Sequence, residues 1–134
     1  MIGIDYPTIT VGAHENLVVR LSLASQLLMR RRGMDPAKMA ILMSPKIGPE
    51  QTENPDAVSH VVAVFACMVA ENFIDTGMPH KVDLSIAPTA DYWATQITDL
   101  GEVERVIWAA VGKAVEERRK KLAVVPPAGT EAAS

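Results

Sequence analysis

The stretch from Pro55 to Thr76, PDAVSHVVAVFACMVAENFIDT, limits the folds open to this chain more than any other segment. Val58, Val62, Phe65, Val69 and Phe73 recur at steps of four, three, four and four, which is helical spacing. Ala63, Ala66, Cys67, Met68 and Ala70 carry apolar surface round most of the remaining circumference. A helix that is apolar nearly all round has to be covered on most sides. Its punctuation agrees. Asn54 suits a cap, Pro55 the first helical position, and Asp56 the positive end of the dipole. Gly77 suits a left-handed stop. The sequence therefore predicts a mainly α fold: a small helical domain packed around a buried central helix at about 55–76, with a short N-terminal β-hairpin.

The hairpin is read from residues 8–21. Thr8-Ile9-Thr10-Val11 is β-branched and alternating, and Gly12-Ala13-His14-Glu15 can turn. Residues 16–21 have two readings. Leu17, Val19 and Leu21 alternate as a second strand would, while Leu17, Leu21, Ala24 and Leu28 also fit a helix from about residue 14. The hairpin is preferred, because Val18 and Val19 are poor helix filler. Ser22 then caps a helix from Leu23 to Arg32, stopped by Gly33. Asp35-Pro36 opens a short helix to about Met43, which Ser44-Pro45 ends. Residues 44–54 read as an exposed loop.

Beyond Gly77, Val82, Leu84 and Ile86 alternate, suggesting a short extended segment. Thr89 can cap a helix from Ala90 to about Thr98. Asp99-Leu100-Gly101-Glu102 resembles a capping box and starts the last helix, to about Leu122. Its apolar face is Val103, Val106, Ile107, Ala110, Val111 and Ala114. Gly112 lies beside Ala109 and Ala110, where a glycine permits another helix to come close. Residues 1–122 thus read as one domain and 123–134, AVVPPAGTEAAS, as a flexible tail.

The totals exclude several classes. With 134 residues the chain suffices for one modest core. A net charge of −3 counts against a protein that coats nucleic acid. One cysteine, Cys67, forms no internal disulfide and suits a reducing compartment. MIGIDYPTIT lacks the basic and apolar regions of a signal peptide. The longest wholly apolar run, Val61–Ala70, is ten residues, against roughly 20 needed to cross a bilayer. A cytoplasmic protein that is not in the membrane is expected.

Chemistry-bearing residues do not form a reactive set. His60, Cys67 and Glu71 share a helix face and are metal-ligand types, but a core or capping histidine and a buried thiol explain them better. His14 and His80 fall in expected loops without partners at ligand spacing. No G-x-S-x-G surrounds any serine, and the glycines are too scattered for a phosphate cradle. No catalytic residue, cofactor or metal is expected. Arg30-Arg31-Arg32 and Arg118-Arg119-Lys120-Lys121 close two helices, where positive charge suits the dipole. They are also candidates for contact with an acidic protein or with nucleic acid. Trp93 and Trp108 either stack in the core or leave one to anchor a partner.

One resemblance bears on function. ITVGAHENLVVRLSLASQLLMRRRG is similar to the opening of tail assembly chaperones of long-tailed phages, in which a hairpin feeds a helix ending in charge and glycine. VVAVFACMVAENF and PTADYWATQITDLGEVERVIWAAVGKAVEERRKK fit the helices that follow, so the likeness covers about residues 8–121. It implies a non-enzymatic protein that binds and solubilises a helical tape-measure-type partner and recruits tail tube subunits; self-association is compatible with it. The family has no catalytic residues to carry over. A helical partner would dock by its apolar face into a groove lined by Leu23, Leu27 and Leu28, or by Val103, Ile107 and Val111, with Arg30, Arg31 and Arg32 beside it. The seven methionines would help such a groove adapt. Two other classes stay open: a head–tail adaptor or other virion component, and a small helical DNA-binding regulator.

Overall fold

The computed structural model describes residues 5–47, 49–50, 52–74, 77 and 82–124. It is mainly helical, with a two-stranded N-terminal hairpin. Strands β1 (Thr8–Val11) and β2 (His14–Val18) pair antiparallel, so the strand reading of residues 16–18 holds. The turn is tighter than the sequence suggests: Gly12-Ala13 alone, with His14 already in β2. Gly12 sits at φ +57°, and a side chain there would also collide with Gln96. Opposite β1 the register slips between Ile9 and Val11. Asn16 absorbs the slip at φ 54°, its N–H donating to Thr10 Oγ1 at 3.2 Å. The bulge keeps Leu17 and Val19 facing inward with Ile9 and Val11.

Helix α1 (Leu23–Arg31) begins and ends where the sequence signals it. Ser22 Oγ accepts from the Ser25 N–H at 3.1 Å, and Ser25 Oγ accepts from the Ser22 N–H at 3.3 Å. Gly33, at φ +84°, donates to Arg30 O at 3.1 Å, and Met34 donates to Met29 O at 2.8 Å. That pair of bonds is a Schellman stop. Asp35 Oδ1 accepts from the Ala37 N–H at 3.0 Å and opens a 3₁₀ turn (Pro36–Lys38) leading into α2 (Met39–Leu42). The expected loop at 44–54 instead contains a small antiparallel pair, β3 (Lys46–Ile47) with β4 (Thr52–Glu53). Asn54 straps it down, donating to Leu42 O at 3.1 Å and Ser44 O at 3.0 Å. Its Oδ1 still accepts from the Asp56 N–H at 3.2 Å, so Asn54 also caps the turn that leads into the central helix.

The central helix α3 runs from Ala57 to Met68, shorter than the expected 55–76. Val69 still donates to Phe65 O at 3.0 Å but ends the helix as its C-cap, and a 3₁₀ turn follows at Ala70–Phe73. The cause is Asn72, whose side chain donates to Val69 O at 2.8 Å and to Val18 O at 2.8 Å, and accepts from the Val18 N–H at 3.1 Å. Asn72 therefore extends the β2 ladder and draws the end of α3 onto the hairpin. Gly77 lies in a turn; 75–76 and 78–81, with His80, lie outside the described residues. The alternation at Val82, Leu84 and Ile86 is not extended. Leu84–Ile86 is a 3₁₀ turn capped by Asp83, whose carboxyl is held below its ordinary value by bonds from Ser85.

Helix α4 (Ala90–Ala94) is shorter than the expected 90–98, and Thr89 makes no side-chain cap. Helix α5 (Leu100–Val124) starts with Asp99 Oδ1 accepting from the Glu102 N–H at 3.1 Å. Ala123 and Val124, assigned to the tail, continue α5; 125–134 lie outside the described residues.

Helices α1, α2, α4 and α5 all pack on α3. Val61, Val64, Phe65, Ala66, Cys67, Met68 and Val69 are almost wholly buried, which no peripheral helix achieves. Only Val58 of the expected stripe turns out to water, at 58% exposure. Phe65 meets Trp93 edge to face, centroids 5.2 Å apart, and Phe73, Tyr92 and His14 ring the same indole. Among the described residues, no helix is long and apolar enough to cross a membrane.

Phe65→Ala is expected to cost about 3–5 kcal/mol, the range for truncating a fully buried phenylalanine. Val58→Ala is expected to stay within about 0.5 kcal/mol. Urea denaturation of both variants measures the difference.

Candidate partner-binding groove

Arg20 is the residue around which the candidate site is built. Its N–H donates to Met68 O at 3.0 Å, just after Val19 has donated to Pro7 O at 2.9 Å. Ser25 Oγ donates to Arg20 O at 2.6 Å, and Ser22 Oγ donates to Glu71. The chain between β2 and α1 is thus tied to both α3 and the α1 cap. Its side chain lies over the Tyr6 ring, with Cζ 4.7 Å from the centroid. Nη2 reaches Glu117 Oε2 of α5 at 3.5 Å, and Tyr6 Oη donates to the same oxygen at 2.7 Å. That bond to Glu117 raises the Tyr6 phenol above its ordinary value, with desolvation acting the same way. Nε of Arg20 is buried and has no hydrogen-bond partner among the described residues. Positions 6, 20, 71 and 117 share no spacing, so nothing in the sequence announced this cluster.

Two concavities flank Arg20. The smaller, about 210 Å³, lies over Val18, Met68, Glu71 and Asn72. The larger is a groove of about 550 Å³ between the start of α1, the Pro36-Ala37 turn and the second half of α5. Leu21, Leu23 and Ala114 supply apolar wall; Arg20, Arg30 and Arg118 supply positive charge. Arg30 is 62% exposed and only 3.9 Å from Asp35 Oδ1, a loose surface pair that leaves it available.

The residues expected to bind a partner divide sharply. Leu23 is 72% exposed and borders the groove, and Leu27, one turn on, is 45% exposed. Leu28 is buried, because a five-residue offset from Leu23 turns it to the core. Val103 and Ile107 are likewise buried and Val111 half-buried: the apolar face of α5 is spent on α3 and β1. None of these four lines the groove beside Arg20.

Of the arginines, Arg30 faces the groove and Arg31 is exposed. Arg32 turns inward, donating to Ala87 O at 2.9 Å and Pro88 O at 3.3 Å. It is a strap between α1 and the segment before α4, not a free contact. The second run is also dispersed. Arg118 enters the groove, and Lys120 pairs with Glu116 at 3.5 Å. Met29, Met34, Met39, Met43 and Met68 are all buried, so they fill the core and give a groove no adaptability.

Trp93 is fully buried and Trp108 is 43% exposed, so the two do not stack. His14 is no loop residue: it starts β2, bonds to Tyr92 Oη and packs 5.1 Å from the Trp93 ring. His60, Cys67 and Glu71 do not converge. Among the described residues, no three His, Cys, Asp or Glu side chains are grouped to hold a metal ion. Gly112 faces water, with no described residue within 4 Å of where a Cβ would stand, so no described helix approaches it.

No protein-family model matches this chain, and no curated protein or solved structure matches it.

Burial pushes the Cys67 thiol up, with Arg32 opposing the shift through charge and a hydrogen bond. The folded thiol pKa thus lies above the unfolded value of 9.0. The associated stability is complete below that value and is lost as pH rises through the folded pKa. Chemical denaturation from pH 8 to 11 is expected to show falling stability (the Tyr6 phenol adds to it), with a shallower fall in Cys67→Ala.

Proposed function

We propose that this chain is a non-enzymatic binding protein of the tail assembly chaperone kind. It holds an amphipathic helix of a tape-measure-type partner in the groove between α1 and α5 and keeps that partner soluble in the host cytoplasm. The observation that carries this is the pairing of Leu23 and Leu27, exposed one helical turn apart, with the groove that Arg20, Arg30 and Arg118 line. Leucines spaced by four on a rigid helix fit a complementary apolar stripe. Arginines around the groove select a partner helix flanked by aspartate or glutamate, and steer it by charge although the chain as a whole is negative.

The split of the two basic runs counts against the DNA-binding alternative. Arg32 is spent on carbonyls, and Arg118 and Lys120 have different surroundings, so neither run forms a continuous row for tracking phosphates. A virion component would differ from a chaperone in staying with the particle.

Co-expression with a long helical tape-measure-type protein is expected to yield a complex and to raise that partner's soluble fraction. Leu23→Asp with Leu27→Asp is expected to abolish both effects without loss of helical circular dichroism, since both side chains are exposed. Mass spectrometry of purified particles is expected to find the chain absent. No complex, or a complex indifferent to the double variant, would contradict the proposal.

A further inference from the structure

The side of α5 turned away from the core carries one continuous stripe. Gly101, Arg105, Trp108, Gly112, Val115 and Arg119 follow at steps of four, three, four, three and four, and all six are exposed. The middle of the stripe is apolar, with Trp108 43% and Val115 45% exposed. Beside the indole, one turn on, Gly112 leaves a notch that no described residue enters. A glycine inside an exposed helix costs about 1 kcal/mol relative to alanine, and among the described residues nothing makes use of the space it opens.

The stripe is complementary to itself. When a second α5 is laid against it end for end, with a two-fold axis level with Ala110, each Trp108 falls opposite Gly112 of the other copy. The same placement sets Arg105 against Val115 and beside Glu116, and sets Arg119 against Gly101 and beside Glu104. Opposite charges meet at both ends of the stripe, the apolar pair sits at its centre, and the two helix dipoles run antiparallel. Among the described residues Arg105 has only an exposed pair with Glu102 at 3.5 Å, and Glu116 has pairs of 3.5 Å with Lys113 and Lys120. Such surface pairs are weak enough to exchange for new ones. The stripe extends about 27 Å at 1.5 Å per residue.

We infer that this face is where two copies of the chain associate, antiparallel along α5, with each Trp108 seated over the other copy's Gly112. The groove uses Ala114, Glu117 and Arg118 on a different side of α5, so association leaves it open. The inference stands apart from the proposed function.

Light scattering and sedimentation across a dilution series test it. The full chain is expected to pass from twice its 14.5 kDa mass at high concentration to a single copy on dilution. Tryptophan emission should shift to the blue on association through Trp108, because Trp93 is already enclosed. Gly112→Gln fills the notch while favouring the helix, and is expected to weaken association about tenfold or more, as loss of a central anchor contact does. Arg105→Glu should also weaken it, and adding Glu116→Arg should recover part of the loss. A single copy at every concentration overturns the inference. So does a dimer whose dissociation constant is unmoved in Gly112→Gln and Trp108→Gln, with both variants still helical.

Discussion

Enclosure of α3 is the constraint on which the rest depends. From Val61 to Val69 nearly every side chain of this helix is withdrawn from water, on faces pointing in all directions. Covering it takes four helices, and the hairpin closes the same core through Ile9, Val11, Leu17 and Val19. Several large apolar side chains stay outside singly, among them Ile41, Val58 and Ile86; two sets are grouped on one helix, Leu23 with Leu27 on α1 and Trp108 with Val115 on α5.

The polar straps follow from that arrangement. Apart from Ser59 and His60 near its start and the Cys67 thiol that Arg32 reaches, α3 carries no polar side chain, so its end is organised by the groups around it. Asn72 joins Val69 to Val18, and Arg20 gives its N–H to Met68. Arg32 reaches Ala87 and Pro88 from the far end of α1. Each strap couples a segment near the start of the chain to one much later, and the Arg20 side chain, paired with Glu117, carries the tie across to α5 beside the groove.

How much of this was legible depended on whether the signal was local. Ser22, Gly33, Asp35-Pro36 and Asp99 act within a turn of their own position, and the elements they open or close appear as read. The hairpin followed from alternation plus the weakness of paired valines as helix filler. The end of α3 was illegible because it is decided by Asn72 bonding to a strand 54 residues away. The 3₁₀ turn at 84–86 defeated an alternating pattern too short to distinguish a strand from a capped turn. On the site, the stripe on α5 was real but is the core face, as the apolar face of a surface helix ordinarily is. Leu23, Leu27 and Leu28 read as one group, although a five-residue offset turns Leu28 away from Leu23. Arg20, Tyr6 and Glu117 gave no warning, since their association exists only after folding.

Amide hydrogen exchange resolved along the chain tests the enclosure of α3 most directly. Amides from Val61 to Met68 are expected to exchange only through global unfolding, with protection equal to the full stability measured by denaturant. Those of α1 near Leu23 and of the β3–β4 pair should exchange through smaller, local openings. Fast exchange along α3 with slower exchange in α1 or α5 would place the core elsewhere and contradict the account.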